Sequence, residues 1–513
     1  MRAPESRWVM IPILEVFLRM PRVAALALLC SMGLIAAGAH AQTPAPAPAK
    51  EPAAKPGLTL SASPVAKTWT GDFDGMVKRR AIRVLVPYSK TFYFVDRAIQ
   101  RGLSYDVTQL LEADLNKKLK TGNLRVHVVC IPVTRGKMIP ALLEGRGDIA
   151  MGNLTITPER LKQVDFTQPM GRNAVEIVVT GPGAEPIATA EDLSGKEVYL
   201  RKSSSYYQSI ETLNAELAKA KKAPVKVRLA PENLEAEDIL EMVNAGLVKM
   251  TIVEDYLANF WKQIFTKLTP LPNVTVRTGG DIAWMIRKDS PKLKEELNAF
   301  IARFEKSGQR SDVLARYLKN TKWARGATAP EDIKRFEQTI ALFRKYGDRY
   351  EFDYLLLMAQ GYQESQLRQD ARSPVGAIGV MQVMPATGKD MKVGDINETE
   401  PNIHAGVKFL RAMRIEYYDK EPMDPLNKGL FTFAAYNAGP GRVRGLRKTA
   451  AERGLNPNVW FNNVELIAAE KIGRETVTYV SNIYKYYLAY QMVEEERAAR
   501  EKVKEETKGG VAK

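Results

Sequence analysis

The sequence predicts an α/β domain built as two lobes, followed by an all-α domain. Strand-like and helix-like stretches alternate from Ala81 to about Lys322, the pattern of strands crossing over through helices. From about Ala329 onward apolar residues recur at helical spacing only. At 513 residues the chain is also too long for one ordinary core.

The elements follow in order. Residues 1–41 read as a secretory signal peptide: Arg19 and Arg22 precede the apolar run "VAALALLCSMGLIAAGA", and the small residues of "AHA" place cleavage before Gln42. Met20 is an alternative start. Cys30 follows Leu28 and Leu29, which is not the small-residue setting of a lipid-attachment site. Residues 42–70, rich in Ala, Pro and Lys, bury no core and read as an extended tether. The α/β domain is expected over 71–325, with largely parallel sheets. Its strand signals include "AIRVLVPY", "LRVHVVCIPV", "DIAMGN", "VEIVVT", "KEVYLR" and "VKVRLA". "YDVTQLLEADLNKKLK", "YQSIETLNAELAKA" and "PKLKEELNAFIARFEKSG" read as helices. The all-α domain is expected over 326–495, through "EDIKRFEQTIALFRKYG", "FDYLLLMAQGYQES", "PNIHAGVKFLRAMRIEYYDK" and "ETVTYVSNIYKYYLAYQMV". A charged tail, 496–513, reads as a solvated helix fraying at Gly509. There is no internal repeat, Gly-rich phosphate loop or further membrane-spanning run.

The net charge of +16, spread along the chain, suits a polyanionic partner such as nucleic acid, anionic lipid or cell-wall polymer. Export and the absence of a nucleic-acid module argue against the first. Beyond the leader Cys130 stands alone, so no internal disulfide is expected. His127 and His404 sit in no ligand spacing, so neither metal nor cofactor is expected.

Three stretches of the helical region carry chemistry. In "YQESQL" the carboxylate of Glu364 stands at the carboxyl end of an apolar helix. Both the negative helix pole and apolar packing raise the pKa of such a group, as a general acid working near neutral pH requires. "GAIGVMQVMPAT" supplies Gln382 beside Met381 and Met384, and "AAYNAGPGRV" places Tyr436 and Asn437 before a Gly-Pro-Gly turn. Neither contains a carboxylate, which suits a sugar groove with one acid rather than the pair of an ordinary glycosidase.

Together these stretches resemble the signature motifs of the lysozyme-like lytic transglycosylases, and "RETVTYVSNIYKYY" resembles the helix that closes them. The resemblance implies cleavage of the bond between N-acetylmuramic acid and N-acetylglucosamine in peptidoglycan glycan strands. Glu364 would act as acid and then base, and the muramoyl C6 hydroxyl as nucleophile, giving 1,6-anhydro ends. It also implies that Gln382 and Tyr436 hydrogen-bond in the groove, that Met381 and Asn437 shape it, and that Ser365 supports the acid; ordinary packing and capping is the alternative for Met381, Met384 and Ser365.

"GNLTITPERLKQVDFTQPM" resembles the signature of extracellular solute-binding proteins of the polar amino-acid type, which have the two-lobed periplasmic-binding-protein type 2 fold. That resemblance places a carboxylate clamp at Thr155 and Arg160, a carboxylate-receiving helix start at Ser204, and an amino-group contact at Glu254 or Asp255. Lys249 falls where relatives often carry an aspartate, and Phe92 and Tyr93 are either ligand covers or core. The order of the two domains resembles the membrane-bound lytic murein transglycosylase F family. This implies a periplasmic exo-acting lyase regulated by an amino-acid-like or muropeptide ligand, with peripheral association at the outer membrane. A hydrolytic muramidase and a non-catalytic glycan- or amino-acid-binding sensor are the alternatives.

Overall fold

The computed structural model describes residues 67–96, 98–321, 323–324 and 330–511, with side chains from 337 to 494 in the last of these. The leader and most of the tether therefore lie outside the described residues. The α/β region is organised on one mixed sheet. Its strands run in the order Met250–Glu254, Gly171–Thr180, Thr269–Ile286, Ile149–Thr155, Ala81–Val86 and His127–Pro132. Only part of this sheet is parallel, contrary to the sequence expectation. Ala81–Val86 runs parallel to both His127–Pro132 and Ile149–Thr155, with Ala81 opposite His127 and Val84 opposite Ile149. The other pairings are antiparallel. Gly171–Thr180 and the 18-residue strand Thr269–Ile286 run side by side from one lobe into the other, with repeated register shifts. Such irregular pairing bends a ladder and suits strands that leave one lobe for another.

Each lobe has its own core. Ile82, Val84, Leu111, Val128 and Phe300 fill the first, where the helix Leu103–Leu119 covers the parallel strands. Val178, Leu200, Ile210, Ile252 and Phe260 fill the second, around the parallel pair Glu197–Arg201 and Lys226–Ala230. Trp323 lies between them, stacked on Phe94 of the first lobe (5.5 Å between centroids) and on Phe260 of the second (5.6 Å).

From Pro330 onward the chain is helical. The helix Tyr354–Ser365 starts on an Asp353 cap, whose carboxylate accepts from Leu355 N at 2.9 Å and from the Tyr487 hydroxyl at 2.7 Å. It is buried along Leu355–Gly361 among Phe343, Met381, Phe431 and Tyr487. The closing helix Arg474–Val511 runs through the charged tail, past the glycine where fraying was expected. This helix also leaves its own domain. Lys485 pairs with Glu112 of the first lobe at 3.1 Å, the Tyr490 hydroxyl donates to Ala98 O at 2.6 Å, and Val493 enters the first lobe's core.

Candidate active site

The glutamate helix ends at Ser365, where Gln366 and Leu367 both take left-handed backbone angles (φ 56° and 60°) and turn the chain sharply. Two consecutive non-glycine residues in that region cost free energy, and such strain is typical of functional sites. Ser365 pins the turn: its hydroxyl donates to Val380 O at 2.9 Å and accepts from Arg368 N at 3.1 Å. It thereby ties the first motif to the second and makes no hydrogen bond to the Glu364 carboxyl.

The second motif is a tight loop folded over Asn402. The buried Asn402 amide donates to Ile378 O and Ile396 O and accepts from Met381 N at 2.9 Å. Gly379 must be glycine here, since its φ is +74° and a Cβ would sit 2.6 Å from Asn402 Nδ2 and Gln369 Oε1. The loop sends the Gln382 amide into the groove, its Nε2 donating to Gly379 O at 2.8 Å. The Met381 side chain points the other way, fully buried in the core against Gly361 and Gly406. Met381 therefore does not line the groove as the motif suggested; what it offers is its carbonyl, which accepts from the Tyr436 hydroxyl at 2.8 Å. Asn437 lines the groove and is held by Thr476, whose hydroxyl donates to Asn437 Oδ1 at 2.7 Å.

Glu364, Gln382, Met384, Tyr436 and Asn437 thus converge on one cavity of about 460 Å³. Although Glu364 is only half-buried as a residue, its carboxyl end is enclosed. Burial pushes its pKa up to about 8, against hydrogen bonds from Tyr479 and Gln360 that favour the ionised form. The Tyr479 hydroxyl donates to Glu364 Oε1 at 2.5 Å and accepts from Gln360 Nε2 at 3.1 Å.

Tyr479 and Gln360 escaped the sequence reading. The tyrosine lies 115 residues from the acid, with only the closing-helix stretch as a signal. Glu475, on the first turn of the same helix, also lines the cavity and was likewise missed. Tyr479 is a positioning residue for the acid. Tyr479→Phe should move the alkaline limb of the pH–rate profile upward, because a bond favouring the carboxylate is lost. It should also lower kcat about tenfold, since one charge-assisted hydrogen bond is worth about 1.5–3 kcal/mol. An unchanged profile would show that the tyrosine does not tune the acid.

The lobes bring a second set of residues together. Arg160 is half-buried and donates to Thr155 O at 2.7 Å and to Ser203 O, from the second lobe, at 3.0 Å. Thr155 Oγ1 donates across the cleft to Ser205 Oγ at 3.3 Å. Ser204 caps the helix Ser205–Lys219 and donates to Arg201 O at 2.7 Å. Glu254 is buried beneath the Tyr206 hydroxyl, which donates to it, and burial pushes its carboxyl up to about 7. Glu176 lies opposite it on the neighbouring strand. Asp255 turns away from this cluster and lines a separate cavity of about 550 Å³ at the crossing strands, with Phe92 and Tyr256. Tyr93 belongs to the core, and Lys249 is exposed beyond the far end of the Met250–Glu254 strand.

Comparison with known proteins matches this two-part build. The model of bacterial extracellular solute-binding proteins, family 3, matches residues 82–320, and that of the transglycosylase SLT domain matches 341–458. A membrane-bound lytic murein transglycosylase F from Desulfosudis oleivorans is 26% identical over 433 residues, covering 79% of this chain and 89% of its own. The protein of the same name from Pseudomonas fluorescens is 26% identical over 432 residues, covering 79% and 84%. Among solved structures, a mutant of ArgBP from T. maritima is 21% identical and covers 48% of this chain and 99% of its own, with a TM-score of 0.40. The fold and the groove define a two-lobed solute-binding module joined to a lysozyme-like transglycosylase domain. The chain carries both domains and is similar, over 79% of its length, to proteins named membrane-bound lytic murein transglycosylase F.

Proposed function

We propose that the protein cleaves the glycosidic bond between N-acetylmuramic acid and N-acetylglucosamine in peptidoglycan and leaves 1,6-anhydromuramoyl ends. The observation that carries this reading is the Glu364 carboxyl, held by Tyr479 at the groove that Gln382, Tyr436 and Asn437 also line, where burial lets it keep its proton to about pH 8. Protonated Glu364 delivers its proton to the bridging oxygen as the bond from that oxygen to the muramoyl anomeric carbon breaks. The resulting carboxylate takes the proton of the muramoyl C6 hydroxyl, whose oxygen closes on the anomeric carbon. The acid is regenerated and no water is consumed. The Gln382 and Asn437 side chains are placed to hold the sugar, and Tyr436 to fix the loop beneath it.

Glu475 favours a second reading. As another carboxylate on the same groove, it gives a hydrolytic muramidase a candidate base for activating water. Mass spectrometry of the products released from purified sacculi separates the two. Anhydro ends from wild type and Glu475→Gln, with none from Glu364→Gln, support the transglycosylase. Reducing ends that disappear in Glu475→Gln support the hydrolase. No release by any of the three leaves a glycan-binding module.

For the two-lobed domain we infer an amino-acid-like or muropeptide ligand whose carboxylate is taken by Arg160. In support, no carboxylate of the described residues lies within 4.0 Å of this guanidinium, although both lobes supply carbonyls to it. Glu254, rather than Asp255, stands beside this clamp to receive an amino group. Regulation through the closing helix is favoured by its reach, from Tyr479 at the acid to Lys485 and Tyr490 on the first lobe. An exported, periplasmic enzyme follows from the leader. No helix of the described residues is long and apolar enough to cross a membrane.

A further inference from the structure

The groove carries two cations that the proposed reaction does not use. Arg368 lies four residues beyond the acid, past the left-handed turn, and its backbone is fixed by the Ser365 hydroxyl. Its exposed guanidinium lines the same cavity as Glu364 and has no carboxylate of the described residues within 4.0 Å. Arg372, on the same wall, is held by Gln369 O and Ala371 O, each at 2.9 Å, and by Asn397 Oδ1 at 3.1 Å, also without a carboxylate partner. The charged groups facing these two across the cavity are Glu364, which is protonated at neutral pH, and the exposed Glu475 on the closing helix.

A wall with two unneutralised guanidiniums is unexpected for a sugar groove, because hydroxyl and acetamido groups of the glycan carry no charge. The anionic groups of peptidoglycan are carboxylates on the muramoyl side. They are either the lactyl carboxylate of a strand stripped of peptide or the carboxylates of the stem peptide itself. Arginine binds a carboxylate through paired parallel N–H donors, and with Arg372 anchored to backbone carbonyls its position is preset. Arg368, held only through its backbone, is free to swing onto the incoming group.

We propose that Arg368, backed by Arg372, is a specificity-determining residue that reads a carboxylate on the muramoyl substituent of the strand being cut. This rests on the groove being the glycan-binding site proposed above. Arg368 orients the substrate through binding and takes no part in bond breaking, so its removal acts on KM.

The test compares wild type, Arg368→Gln and Arg368→Lys on four preparations: peptide-bearing strands, amidase-stripped strands, and each of these after carbodiimide conversion of carboxylates to amides. The expected result for Arg368→Gln is a loss in kcat/KM of about three- to tenfold, carried by KM, on unmodified strands, with Lys recovering part of it. On amidated strands wild type and variant should coincide. A loss confined to stripped strands assigns the lactyl carboxylate, and one confined to peptide-bearing strands assigns the stem peptide. Equal kinetics of wild type and Arg368→Gln on all four overturns the proposal, as does a fall in kcat alone. Co-sedimentation with sacculi, in a Glu364→Gln background, separates this idea from the reaction itself. Weaker retention on adding Arg368→Gln supports carboxylate reading even if no strand is cut. Unchanged retention overturns it.

Discussion

Glu364→Gln should abolish release of soluble muropeptides, lowering the rate about 10³-fold or more, while making the protein more stable at neutral pH. The loss follows because one carboxyl supplies both proton transfers, and a positioned acid or base contributes about 10²–10⁴-fold to such reactions. The gain follows from linkage. In the unfolded chain the carboxyl ionises near its ordinary value, about 4.3. In the fold it holds its proton to about 8 because it is buried. A group whose pKa is raised on folding contributes stability that is fully present below the unfolded value and is lost as pH rises to the folded one. Wild type therefore weakens between about pH 4 and pH 8, and the glutamine variant, which cannot ionise, does not. Thermal melts of the two proteins should nearly coincide at about pH 4 and separate by about pH 8, with the variant higher. A variant that is inactive but no more stable at the higher pH would mean that the carboxyl is already ionised in the fold.

Asp148→Ala should be the most damaging single change in the two-lobed domain. Asp148 is fully buried at the start of the strand Ile149–Thr155, and three guanidiniums converge on it. Arg83 donates from its backbone N to Oδ2 at 2.8 Å and from Nη2 to Oδ1 at 2.9 Å, Arg79 also donates to Oδ2, and Arg287 approaches Oδ1 to 3.6 Å. The same arginines hold the entering chain, through Lys67 O, Trp69 O and Gly71 O, and the loop before the strand, through Leu142 O and Gly147 O. Removing the carboxylate leaves Arg83 buried without its counter-charge and Arg287 with only the exposed Asp289, at 3.8 Å. Breaking a buried pair in this way costs about 3–5 kcal/mol. For a domain of this size that is a fall in Tm of about 10 °C. Calorimetry would check it, and a shift of less than about 2 °C would show that the backbone carbonyls alone suffice to hold these cations.

The three motifs of the helical domain stood out in the sequence through their joint resemblance to those of the lytic transglycosylases, which named the residues to look for; spacing alone did not. Glu364, Gln382, Tyr436 and Asn437 all face one cavity. Met381 was misplaced because alternate positions of a tight loop point to opposite sides, and a methionine beside a glycine-rich turn reads equally well as groove or core. The partner of the acid, Tyr479, was not legible. It is one of several tyrosines on a helix, and only tertiary packing selects which one meets Glu364. In the α/β domain the parallel strands were read from their Val and Ile runs, but the long strand Thr269–Ile286 was not. Its sequence contains Pro270, Pro272, Gly279 and Gly280, which normally argue against a strand interior, and in the fold this strand carries register shifts along its length. Nor did the amphipathic pattern of the closing helix show that Lys485, Tyr490 and Val493 would seat on the first lobe, since periodicity gives a face but not its partner.

The proposed reaction requires Glu364 to be a protonated acid at neutral pH. The most direct measurement is a carbon-13 NMR titration of protein labelled at its glutamate carboxyls, read as the difference between wild type and Glu364→Gln. One resonance, absent from the variant, should titrate near pH 8. A resonance that titrates at about pH 4–5, the range of an ordinary solvated glutamate, would leave the groove without its acid and would contradict the mechanism.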